Sequence, residues 1–108
     1  MTPEAKVKAG IRAVLRRHEP HVYDYMPVPG GYGRSALDYI GCCCGMFFAI
    51  EAKRRGKVPT PRQETTIEAM ELAGARVFII DGPDGMGELD RWLTTVVTAK
   101  ASLSMSSS

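Results

Sequence analysis

A chain of 108 residues is long enough for one domain with one modest core. Hydrophobic residues make up 44% and charged residues 24%, an ordinary globular balance, and no apolar run approaches the roughly 20 residues of a membrane helix, so no membrane role is expected. The net charge of +2 hides an asymmetry: eleven Lys/Arg against five Asp/Glu up to Arg62, then three against seven. The basic residues cluster around Lys6–Arg17 and Lys53–Arg62, which suits a phosphate backbone or, equally, a solvated helix face plus a charged loop.

The chain has no basic start followed by an apolar stretch, so no signal peptide is expected. Thr2 and Pro3 read as an N-cap followed by proline at the first helical position. A helix to about Arg17 follows, with Val7, Ile11, Val14 and Leu15 as its apolar stripe. Glu4 lies one turn before Val7, where it either faces inward or complements the helix dipole. Pro20 breaks the helix between His18 and His21, and both histidines read as surface residues. Val22–Val28 is β-rich and predicts a strand. "PGGYGRS", with Tyr32 and Arg34, lacks the lysine and spacing of a phosphate-cradling loop and reads as a mobile connection.

A second strand is predicted from Ala36 to about Cys42, with the turn held by Gly41–Gly45. Cys42, Cys43 and Cys44 stand side by side. Adjacent strand residues point to opposite faces, so three such thiols converge poorly on one zinc ion. An odd, unspaced set is no disulfide framework either, and it suggests a reducing, cytoplasmic setting. Met46–Lys53 is the third and most apolar strand, followed by the loop "RRGKVP". Thr60-Pro61-Arg62-Gln63 is a capping box with proline at N1, opening a helix that carries Ile67 and Met70 and ends at Gly74. Arg76–Ile80 is a short buried strand and "DGPDG" a turn. Leu89, Trp92, Leu93, Val96 and Val97 then recur at helical spacing, as a core stripe or a partner surface. "ASLSMSSS" reads as a disordered tail, so residues 1–100 are expected to form the domain and 101–108 to lie outside it. The order α-β-β-β-α-β-α implies a mixed sheet flanked by helices, in the α/β or α+β class.

Alternation along the third strand puts Phe47, Ala49, Glu51 and Lys53 on one face and Met46, Phe48, Ile50 and Ala52 on the other. Glu51 and Lys53 are then neighbours, with Cα atoms about 6.5–7 Å apart. A strand apolar on both faces is central, and a charge buried at its end needs a partner. A hairpin would bring Asp38 across to Glu51. Two carboxylates and the intervening carbonyl would suit Mg²⁺ or Mn²⁺, and Lys53 would sit beside a bound water, an arrangement fit for phosphodiester hydrolysis. Taken alone, the pair is better read as a Glu–Lys contact at a strand's solvent end.

Asp38, Glu51 and Lys53 spell D-x12-E-x-K, which resembles the signature of the PD-(D/E)xK nuclease superfamily. The wider run "ALDYIG…GMFFAIEAKRRGKVPTPRQ" resembles its virus-type replication-repair nuclease (VRR-NUC) branch, as in small stand-alone phage proteins. Leu37 stands where the superfamily pattern has proline, a position that shapes backbone and supplies no chemistry. The resemblance implies a restriction-endonuclease-like α/β core with an added C-terminal helix. It implies Asp38, Glu51 and the Ala52 carbonyl as metal ligands, Lys53 as the catalytic lysine, Gln63 facing the site, and Glu4 reaching the metal through water. Gln63 also fits its capping position, and the two roles stay open.

The resemblance further implies DNA cleavage by a homodimer acting on branched DNA such as a four-way (Holliday) junction, whose two strands need two related sites. No recognition-helix motif or zinc finger is evident, so structure-selective cutting is expected. Arg34, Arg54, Arg55, Lys57 and Arg62 are candidates for phosphate contacts. A flap or single-strand nuclease is the alternative enzyme. A non-catalytic DNA-binding module is the third reading, disfavoured by the intact Asp38, Glu51 and Lys53.

Overall fold

The computed structural model describes residues 1–28 and 36–106. Its first helix, α1 (Pro3–Arg17), starts where Thr2 accepts a hydrogen bond from the Ala5 N–H and proline occupies the first turn. Val7, Ile11, Val14 and Leu15 are its buried face. The chain then turns into β1 (Val22–Tyr25), β2 (Tyr39–Cys43) and β3 (Met46–Ala52). Both β1 and β2 are shorter than β-propensity suggested. His18 is not a surface residue: its side chain is 14% exposed, and its Nε2 lies 2.7 Å from Asp90 Oδ1.

β2 and β3 form a hairpin. Its two turn residues, Cys44 (φ 51°) and Gly45 (φ 86°), both take positive φ, as a tight twisted connection requires. α2 (Pro61–Leu72) follows its capping box, β4 (Arg76–Ile80) runs parallel to β3, and α3 (Pro83–Ser106) closes the chain. The sheet order is β1-β2-β3-β4, antiparallel up to β3, so β3 is central as its two-sided apolarity predicted. Glycine and proline in "DGPDG" read as a turn, yet Pro83 opens α3. The expected disordered tail from Ala101 is corrected as well, because α3 continues through Ser106. Alanine, lysine, leucine and methionine favour a helix, and neither glycine nor proline stops it.

α1 and α3 cover one face of the sheet. Val7, Ile11, Val14, Leu15, Leu89 and Leu93 pack there against Val22, Tyr39, Phe48, Ile50, Phe78 and Ile80. Trp92 joins this core edge-on to Phe48 and Phe78, at ring distances of 5.9 and 5.6 Å. Alternation turns Phe47, Ala49 and Glu51 to the opposite face, where α2 crosses and Gln63 meets Glu51. The sheet is therefore clad by α1 and α3 on one side and by α2 on the other. Among the described residues, no helix is long and apolar enough to cross a membrane.

Candidate active site

The β2–β3 hairpin creates the first half of the site. Tyr39 pairs with Ile50, so Asp38, one residue before β2, comes alongside the end of β3. Its Oδ2 accepts a hydrogen bond of 2.9 Å from the Ala52 N–H. Asp38 is thus tied to the backbone beside Glu51, and the two carboxylates share one end of the hairpin.

Glu51 is the only buried charged residue among those described, at 4% exposure. Burial pushes its carboxyl above the ordinary glutamate range, and the Asp38 charge pushes the same way against an opposing pull from Lys53. Lys53 Nζ lies 3.4 Å from Glu51 Oε2. Lys53 owes its place to the strand register, with its backbone N–H donating to the Ile80 carbonyl at 2.9 Å.

Gln63 supplies the third side. Its Nε2 donates to Glu51 Oε2 at 2.9 Å, while its Oε1 accepts from the Thr60 N–H at 3.0 Å. The backbone N–H of Gln63 donates in turn to Thr60 Oγ1 at 3.2 Å. The capping and site-facing positions, alternatives in the sequence, are both occupied by the two ends of one amide.

Sequence reasoning missed Lys8. Its Nζ lies 3.9 Å from Asp38 Oδ1, with both side chains about three-quarters buried. The available signal was its place beside Val7 in the apolar stripe, one turn after Glu4. One turn further on, Arg12 donates to the Tyr39 hydroxyl at 3.5 Å. Glu4 itself is exposed, and its side chain makes no hydrogen bond or ion pair with the described residues.

The candidate phosphate contacts divide into three groups. Arg34 lies outside the described residues. Arg54, Arg55 and Lys57 line a shallow cavity of about 420 Å³ together with Pro3 of α1. Their turn is built: the Lys57 N–H donates to the Arg54 carbonyl at 3.0 Å, Gly56 takes φ 83°, and its N–H donates to Asp81 at 3.3 Å. Arg62 lines a second hollow with Thr60, Gln63 and Thr66, on the side of α2 that reaches Glu51.

Among the described residues, no three His, Cys, Asp or Glu side chains gather as a metal cluster. The oxygen donors at hand are Asp38, Glu51 and the Ala52 carbonyl between Glu51 and Lys53. That set suits a hard cation that retains several waters, such as Mg²⁺ or Mn²⁺. The fit is electrostatic as well, because burial and then the Asp38 charge push the Glu51 carboxyl up, and a dication between the two carboxylates would offset that repulsion.

No protein-family model matches the sequence, and no curated protein is detectably similar to it. A solved structure described as a VRR_NUC domain does match the fold, with a TM-score of 0.66 at 22% identity, covering 82% of this chain and 95% of that one. The order α-β-β-β-α-β-α around a mixed four-stranded sheet is therefore the restriction-endonuclease-like fold of a VRR_NUC domain.

Proposed function

We propose that this chain is a divalent-metal-dependent nuclease of the PD-(D/E)xK kind, a homodimer that hydrolyses phosphodiester bonds in branched DNA, with the four-way junction as its preferred substrate. One observation carries the reading. Asp38 and Glu51 stand together at the end of a central strand, with Lys53 and Gln63 both on Glu51 Oε2. A pair of surface charges needs none of this convergence.

Asp38, Glu51 and the Ala52 carbonyl would hold Mg²⁺ or Mn²⁺, and Glu4 would reach the ion through water. When bound, such an ion polarises the phosphoryl oxygen and lowers the pKa of a coordinated water. Lys53 directs its ammonium at that water and at the charge growing on phosphorus. Gln63 shares Glu51 Oε2 with Lys53 and fixes the orientation of the carboxylate. Water gives up a proton to solvent as its oxygen bonds to phosphorus, the bond to the leaving sugar oxygen breaks, and that oxygen takes a proton from solvent. Arg54, Arg55, Lys57, Arg62 and Arg34 contact phosphates flanking the cut and carry no base readout. The branched substrate rests on the resemblance to the VRR-NUC branch. The dimer rests on the same resemblance, and it would supply the two related sites that a symmetric junction needs.

The test is cleavage of a synthetic four-way junction with Mg²⁺ or Mn²⁺, and its abolition by EDTA. Paired symmetric nicks near the branch point are expected. Parent-level cleavage by Asp38→Asn or Lys53→Ala would sink the assignment. Flap-only cutting would replace the junction with a flap substrate, and binding without cutting under any divalent ion would leave a DNA-binding module.

A further inference from the structure

Lys8 has no role in the reading above, yet its ammonium is the α1 cation nearest the carboxylate pair. It lies 3.9 Å from Asp38 Oδ1, the oxygen not used by the Ala52 N–H. The pair is largely shielded, with side-chain exposures of 27% and 26%, so solvent screens it less than a surface contact. α1 is rigid at this point, because Val7 and Ile11, on either side of Lys8, are buried in the core. Lys8 is thus held at the site by the fold.

We propose that Lys8 is a positioning residue that changes partners during the reaction. It holds Asp38 while no metal is bound, yields that carboxylate to the divalent cation, and then pairs with a phosphate of the DNA strand. This inference rests on the nuclease reading and extends it to a second lysine. The physical argument has two steps. A carboxylate with one oxygen on a backbone N–H and the other facing an ammonium is already partly compensated, so an incoming dication must compete with Lys8 for it. Once the dication is in place, Lys8 faces like charge, and the anion that then arrives is the substrate phosphate. Lys53 is paired with Glu51, so Lys8 is the lysine that stands on Asp38.

The two steps predict effects of opposite sign for one substitution, which a merely structural role would not give. In Lys8→Met, half-saturation by Mn²⁺, read from thermal shift without DNA, should fall roughly three- to tenfold, because a nearby positive charge is gone. At saturating Mn²⁺, the same variant should show KM for the four-way junction raised by a similar factor of about three to ten, with kcat less affected. Lys8→Arg keeps the charge and should stay close to the parent in both. Unchanged Mn²⁺ half-saturation and unchanged KM in a folded Lys8→Met, with the parent still shifted by Mn²⁺ and still cutting, would overturn this inference alone. A parent whose melting temperature ignores Mn²⁺ would overturn the nuclease reading as well.

Discussion

One side chain joins the cap of α2 to the buried acid of β3: Gln63 donates to Glu51 Oε2 at 2.9 Å and accepts from the Thr60 N–H at 3.0 Å. Its two contacts are separable by mutation. Thr60→Ala removes the hydroxyl that accepts from the Gln63 N–H and should cost about 1 kcal/mol of stability, as lost N-caps do. Gln63→Ala should cost a similar amount and should also lower cleavage about ten- to a hundredfold, as loss of a ligand-orienting partner does. Melting temperature and kcat measured on both variants check this. Equal activity losses in the two would mean that Gln63 matters only as a cap.

Ion binding at Asp38 and Glu51 should be visible without any substrate. A ligand that binds only the folded state adds about 2.7 kcal/mol at a hundredfold excess over its Kd. For a chain of this size that corresponds to a rise of roughly 10 °C in melting temperature. Mn²⁺ titration by thermal shift should give such a rise in the parent and little or none in Glu51→Gln. A variant that still responds in full would place the ion elsewhere.

Much of this arrangement was legible in the sequence, for identifiable reasons. Strand alternation put Glu51 and Lys53 on one face, and a hairpin between β2 and β3 brought Asp38 to the end of β3; the turn expected over Gly41–Gly45 is tighter, only Cys44-Gly45, with Gly41 inside β2. Alternation along β2 divides the cysteines: Cys42 is exposed, while Cys43 is buried, with its thiol pushed up to about 11 by burial and by Cys44. Lys8 and the His18–Asp90 contact were not legible, because each joins elements distant in the chain. The sequence shows that Lys8 flanks the apolar stripe of α1, but neither Lys8 nor His18, just past the end of that helix, marks what packs opposite it. The end of α3 was misread for a different reason. Low complexity suggested disorder, while helix propensity and the absence of a stop signal favoured continuation.

Gly41 should tolerate no side chain. It is buried on β2, and a Cβ there would lie 2.8 Å from the Tyr23 carbonyl oxygen of β1, with the Phe48 ring also in its way. Removing glycine from a strand gains about 0.5–1 kcal/mol of backbone preference, while overpacking costs about 1–3 kcal/mol, so the clash wins. Gly41→Ala should lower the denaturant midpoint with an unchanged m-value. A midpoint equal to the parent's would mean that β1 yields freely.

The α1–α3 junction should weaken in acid. Asp90 accepts from His18 at 2.7 Å, and Arg17 lies 3.4 Å away. The His18 hydrogen bond, helped by Arg17, holds the Asp90 carboxyl below the ordinary value of 3.8. A depressed folded-state value means that the contribution is present above the unfolded value and is lost as pH falls through the folded one. Asp90 is well exposed, so the effect is small and screened by salt. The parent should therefore melt above Asp90→Asn near pH 5 at low salt, and that gap should close as pH falls from about 3.8 toward 2. A gap of constant size across that range would show that Asp90 contributes through packing and not through its charge.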